Sequence, residues 1–208
     1  MNERVSSPLP PKLPGPSDGL SIGLIGGSFD PPHAGHVHVI RTAQTRIGLD
    51  WVWAIPARGN PLKKTQTPFA KRMDLAREMF TGPRTRVTPL EHDLGLTYTV
   101  DVIAALQRRA PGARFVWIMG ADSLQSFHRW RSWRQIAQMV PIAVISRPGT
   151  FPSAGLSRLA KTYSASRIPQ GEAGALAYLK PPAWTLIKAP HAPQSSTAIR
   201  NARGLEGS

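Results

Sequence analysis

The stretch Gly26-Gly27-Ser28-Phe29-Asp30-Pro31-Pro32-His33-Ala34-Gly35-His36 holds the groups best spaced for chemistry. His33 and His36 stand three residues apart, so on a helix their imidazoles share one side. Gly26 and Gly27, just before them, let a backbone approach a ligand closely. The apolar run 20–25 reads as a short buried strand, and 37–43 reads as a helix. Strand, glycine turn and helix in that order aim the unpaired N–H groups of the first helical turn beyond the strand's end, where the helix dipole adds positive charge. A polyphosphate suits such a cradle.

Other chemistry competes for the same residues. His33, His36 and His38, with Asp30 nearby, form a candidate metal group. His36 and His38 lie two apart and diverge on a helix, which leaves only two histidines on one face and ranks a metal below phosphate. His38 alone reads as an ordinary helix residue, and Asp30 beside two prolines is equally well explained as a turn former. The glycines lack the Gly-x-Gly-x-x-Gly spacing of a dinucleotide site, and no Gly-Lys-Ser/Thr follows them. Hydride transfer and P-loop hydrolysis are therefore disfavoured.

The elements that must hold this cradle are legible as alternating patterns. Short apolar runs at 51–56, 114–120 and 142–146 read as strands, with a third short strand at 86–90 and a last one at 183–187. Helical spacing marks 69–80, where Pro68 suits a first turn and Gly82-Pro83 stops the run, then 99–109, ended by Pro111-Gly112, and 133–139. Ser195-Ser196-Thr197 reads as the cap of a helix over 198–202. Segment 148–174, rich in Gly, Pro, Ser and Ala, reads as a long loop or insertion. Continuous apolar strands between helices imply an α/β fold with a doubly wound parallel sheet, its site at the strands' carboxyl ends.

The 208 residues suit one domain, 20–203, between a flexible proline-rich tail at 1–19 and a short tail at 204–208. No apolar run reaches membrane-spanning length, so no membrane partner is expected, and the N-terminal segment has no apolar block of a secretory signal. The absence of cysteine fits a reducing cytoplasm. The 26 Lys and Arg against 12 Asp and Glu leave +14, which favours polyanions. These basic residues are scattered, Lys71 and Arg72 among them, and mostly read as solvated surface. A nucleic-acid-binding protein is the alternative from another class, but aromatic and basic residues interleave only around 127–134, so no nucleic acid is expected as a partner. Oligomeric state stays open, a homo-oligomer included.

The whole string from Gly27 to His36, with His33-Ala34-Gly35-His36 meeting a His-x-Gly-His signature, resembles the nucleotidyltransferase superfamily. Ser195-Ser196-Thr197-Ala198-Ile199-Arg200, far downstream, resembles that superfamily's second motif, Ile-Ser-Ser-Thr-x-Ile-Arg, with Gln194 in place of the first isoleucine. The middle of the chain is similar to the bacterial nicotinate mononucleotide adenylyltransferase family, through Tyr98-Thr99 and through Gly120-Ala121-Asp122-Ser123-Leu124 as far as Phe127 and Trp130. The resemblance covers about 20–202 and implies a Rossmann-like nucleotidyltransferase fold. It implies transfer of AMP from ATP to nicotinate mononucleotide, giving deamido-NAD and pyrophosphate, with Mg2+ carried mainly on the ATP phosphates.

By the same resemblance His36 and His33 are the catalytic residues. Gly26, Gly27, Ser28, Phe29, His33, His36, Lys63, Asp122, Ser196, Thr197 and Arg200 would bind ATP, and Tyr98, Thr99, Trp130 and Arg131 the mononucleotide. Trp130 would stack on the pyridine ring, while backbone amides near Thr99 and just after Trp130 receive the carboxylate. From spacing alone, Phe127, Trp130 and Trp133 read instead as the core face of a helix. The family's loop histidine is replaced in Asn60-Pro61-Leu62-Lys63-Lys64, which leaves open whether Lys63 or Lys64 reaches phosphate. The nearest alternatives are adenylyltransferases acting on nicotinamide mononucleotide or pantetheine phosphate.

Overall fold

The structure, a computed structural model, describes residues 12–59, 67–146 and 157–188. Among them seven parallel strands form one sheet in the order β3-β2-β1-β4-β5-β7-β6. They are β1 (Ser21–Gly27), β2 (Trp51–Pro56), β3 (Thr85–Val87), β4 (Arg114–Gly120), β5 (Ile142–Ser146), β6 (Arg167–Ile168) and β7 (Trp184–Lys188). The helices are α1 (Ala34–Ile47), α2 (Phe69–Met79), α3 (Leu90–Asp93), α4 (Thr99–Arg109), α5 (Ala121–Phe127), α6 (Trp133–Met139) and α7 (Arg158–Thr162). No helix among the described residues is long and apolar enough to cross a membrane.

Both faces of the sheet are buried, which is why its central strands read as continuous apolar runs. Alternate residues serve opposite faces. Trp53, Ile55, Phe115, Trp117, Met119, Ile142 and Val144 join one cluster with α4, α5 and α6, while Val52, Ala54, Val116, Ile118, Ala143 and Ile145 join a second with α1 and α2. Ahead of β1, the Gly19 N–H donates to the Gly112 carbonyl (3.0 Å) and Leu13 rests against the first cluster.

The chain runs from β1 outward through β2 to β3, then returns to the other side of β1 to lay down β4 and β5. The order therefore reverses between β1 and β4, and the crevice at their carboxyl ends is where an open α/β sheet accepts ligands. Leu24 pairs with Trp117, and three residues further on Gly27 and Gly120 end the two strands.

Three expectations shift. The strand expected over 86–90 is only Thr85–Val87: the Thr88 N–H still donates to the Ala54 carbonyl, but Pro89 has no N–H to continue the ladder, and Leu90 opens α3 instead. Helix α1 is longer than 37–43, reaching back to Ala34 and forward to Ile47, where Gly48, at a φ of 73°, closes it in the left-handed conformation that glycine adopts without strain. Segment 148–174 is no simple loop from residue 157 onward: Ser157 caps α7, β6 follows, and a 3-10 helix spans Gln170–Tyr178. Leu159, Ala173, Leu176 and Ala177 are buried there, so packing against the sheet supplies what local periodicity does not.

Candidate active site

The polypeptide leaves β1 at Gly27 and reaches α1 through a tight turn. A side chain at Gly26 would bring its Cβ within 2.8 Å of the Trp117 indole, so this position needs a glycine for packing. Phe29 follows at a φ of 45°, a conformation favoured by glycine, and its ring is only 2% exposed. It packs edge-on against Phe80 (5.1 Å between centroids) and His36 (5.0 Å). Any contact of Phe29 with phosphate therefore falls to its backbone, and its side chain serves as a wedge under the histidines.

His33 is the N-cap of α1 and His36 its third residue. The Gly35 N–H donates to His33 Nδ1 (3.0 Å), and the His33 N–H donates to His36 Nδ1 (3.2 Å). Two imidazoles thus do the work that Ser and Glu do in an ordinary capping box. Because each Nδ1 accepts a hydrogen bond, the ring proton of a neutral imidazole is assigned to Nε2 in both residues. The rings lie 3.9 Å apart between centroids, so the helix start holds the two imidazoles side by side. His38, by contrast, is half-buried with Nε2 lacking a hydrogen-bond partner, and it joins no metal-binding group. Among the described residues no cluster of three His, Cys, Asp or Glu side chains could hold a metal ion.

Across the crevice, β4 ends at Gly120 and Asp122 stands exposed in the first turn of α5. Trp117 links the two sides: it lies against Gly26 and meets Trp130 edge-on, with centroids 6.1 Å apart. Trp130 also meets Phe127 edge-on (5.4 Å). Phe127 and Trp133 are buried, at 1% and 7% exposure, but they do not form the core face of one helix: Phe127 ends α5, Trp133 begins α6, and Trp130 lies between them, half-buried with part of its surface open. Tyr98 caps the start of α4 and is 39% exposed, with Thr99 the first helical residue. The Arg131 guanidinium lies over the Tyr98 ring, 4.5 Å from its centroid. Tyr98, Thr99, Trp130 and Arg131 are thereby gathered from two distant parts of the chain. Lys63, Ser196, Thr197 and Arg200 lie outside the described residues.

Three contributors escaped the sequence reading. Trp117 looked like any strand residue, and Glu91 carried no motif. Arg72 was grouped with the solvated basic residues, yet it is 1% exposed on the inner face of α2. Its signal was its position, since 72 falls with 69, 73 and 76 on the helix's apolar stripe. Glu91 accepts the Arg58 N–H (3.0 Å), and burial pushes its carboxyl up to about 7 despite that bond and the attraction of Arg72. Burial also lowers the Arg72 guanidinium from its usual range, offset by Asp30 and Glu91, but arginine stays charged.

Residues 24–202 match the model of the cytidylyltransferase-like family. A protein of Cereibacter sphaeroides named "Probable nicotinate-nucleotide adenylyltransferase" is 48% identical over 182 residues, 87% of this chain and 96% of that one. The chain belongs to the nicotinate-nucleotide adenylyltransferase family. A second member of this family, from Ruegeria pomeroyi and bearing the same name, is 49% identical over 187 residues, 89% of this chain and 88% of its own. The fold is that of a nicotinate-nucleotide adenylyltransferase as well: a Plasmodium falciparum nicotinic acid mononucleotide adenylyltransferase, solved in complex with NaAD, superposes with a TM-score of 0.66 at 18% identity, covering 88% of this chain and 83% of that one.

Proposed function

We propose that this protein transfers the adenylyl group of ATP to nicotinate mononucleotide, forming deamido-NAD and releasing pyrophosphate. The observation that carries the reading is the pair of mutually capped histidines at the head of α1, placed where the strand order reverses. The family of its relatives names the acceptor.

In this reading a phosphate oxygen of the mononucleotide attacks the α-phosphorus of ATP, and the bond to the bridging oxygen of pyrophosphate breaks. No covalent intermediate with the protein is required, so the chain contributes position and charge. The backbone of Gly26, Gly27, Ser28 and Phe29 and the first turn of α1 receive phosphate oxygens. His33 seats the triphosphate through Nε2–H, and His36 donates to the charge that grows as pyrophosphate leaves. Asp122 belongs to the nucleotide side, and Ser196, Thr197, Arg200 and either Lys63 or Lys64 supply further phosphate donors.

Trp130 offers its open face to the pyridine ring, and Tyr98, Thr99 and Arg131 line the approach for the carboxylate. Mg2+ would be carried on the ATP phosphates, since no metal-holding cluster occurs among the described residues and this ion keeps most of its shell as water and phosphate oxygen. The catalytic unit is the single domain 20–203, and its setting is the cytoplasm, consistent with a cysteine-free sequence.

The test is pyrophosphate release from ATP with nicotinate mononucleotide, nicotinamide mononucleotide or phosphopantetheine as sole acceptor. Nicotinate mononucleotide is expected to give the highest kcat/KM, since donors arranged for a carboxylate are left poorly paired by an amide. A higher value with either other acceptor refutes the assignment.

A further inference from the structure

The guanidinium of Arg72 divides its donors among three backbone carbonyls from separate parts of the chain. Nη1 donates to Ser28 (2.7 Å), Nε to Thr67 (2.9 Å) and Nη2 to Arg58 (3.3 Å). Ser28 belongs to the turn that delivers His33, Arg58 follows β2, and Thr67 precedes α2. Glu91 takes the Arg58 N–H, so both polar groups of that peptide residue are held by buried ionic side chains. Phe69 stacks beside the guanidinium, its ring centroid 5.5 Å away.

A buried charge persists only where hydrogen bonds and countercharge compensate it, and a planar fork is the group that can serve several carbonyls at once. Lysine can satisfy a carbonyl here but cannot span all three in these directions. A purely structural bridge could as well have joined two loops away from the crevice. This one ends at Ser28, in the turn that leads from β1 to His33 at the head of α1.

We propose that Arg72 is a positioning residue for adenylyl transfer: by gripping the Ser28 carbonyl from the scaffold of β2 and α2, it sets the turn in the geometry that presents His33 and His36 to the triphosphate. The inference rests on the adenylyl-transfer reading for its kinetic consequence, but its structural consequence is independent of it. Tyr98 and Trp130 sit elsewhere, at the cap of α4 and in the segment after α5, so Arg72 acts on the ATP side of the reaction and leaves acceptor affinity alone.

The test is Arg72→Lys, with kcat, both KM values and melting measured together. Small misplacements of reacting groups cost up to about a hundredfold, so kcat is expected to fall about tenfold or more while KM for nicotinate mononucleotide stays within about twofold. Arg72→Gln combined with Glu91→Gln guards against misfolding, because removing both partners leaves less uncompensated buried charge than removing one. It is expected to show the same split. The third arm needs no activity: imidazole 15N resonances of the free protein should show His33 and His36 as Nε2–H tautomers in the wild type and as mixtures in either variant. A folded variant with wild-type kcat, an equal rise in KM for the acceptor, or unchanged imidazole resonances overturns the proposal. A wild-type protein that makes no deamido-NAD, yet shows the resonance change, overturns the functional reading and leaves the role of Arg72 in setting the turn standing.

Discussion

Glu91→Gln is expected to stabilise the protein in neutral and mildly alkaline solution and to change little in acid. The side chain is 8% exposed, and burial raises its carboxyl from an ordinary 4.5 to about 7 against the weaker pulls of the Arg58 amide and Arg72. Between those two pH values the folded chain holds a proton that the unfolded chain has already released, so stability falls as pH rises through the window. A rise of 7 − 4.5 = 2.5 pH units, at about 1.4 kcal/mol each, sets a ceiling of about 3 kcal/mol. Glutamine keeps an oxygen for the Arg58 N–H and cannot ionise, so the variant escapes that loss. Urea unfolding followed by tryptophan fluorescence, run on both proteins from about pH 4 to about pH 8, reads the difference directly. It should be near zero at the acid end and approach about 3 kcal/mol at the alkaline end, or about 6 to 12 °C in Tm for a chain of this size. A difference that is constant across the series, or a variant less stable than wild type at pH 8, refutes the burial argument.

Other outcomes follow from the same geometry. His36→Ala should lower kcat by about a hundredfold or more, the cost of losing one donor to developing charge, measured as pyrophosphate release with melting checked in parallel. Trp130→Ala should raise KM for nicotinate mononucleotide by about two- to tenfold with little change in KM for ATP, the value of one aromatic stack; steady-state kinetics with each substrate varied would show it. Phe29→Ala should cost about 3 to 5 kcal/mol in urea unfolding, because a ring wedged against Phe80 and His36 leaves a cavity when removed.

Much of the fold was legible because its signals are local. The strands 51–56 and 114–120 and the helix 99–109 coincide with β2, β4 and α4, since an apolar run between turn formers and a 3.6-residue spacing are properties of neighbouring residues. The histidine pair was legible for the same reason: a helix start is defined by a few consecutive residues. The resemblance of the motifs then named the reaction, which spacing alone could not. Segment 157–178 was illegible, because its short helix, two-residue strand and 3-10 turns owe their shape to Leu159, Leu176 and their neighbours meeting the sheet.

Sequence by itself determined which groups are available: two imidazoles at a helix start, glycines before them, an aromatic and a basic residue at 130 and 131. Tertiary structure decided how they are held. Only in the fold do the Nδ1 atoms of His33 and His36 accept backbone N–H groups and direct the ring protons to Nε2. Only there does Arg131 cover Tyr98, Trp117 connect Gly26 to Trp130, and Arg72 turn out to be buried. The reason is physical: a spacing along the chain specifies a face of one element, whereas contacts among β1, α2, α3 and β4 depend on how separate elements pack, and no local pattern records that.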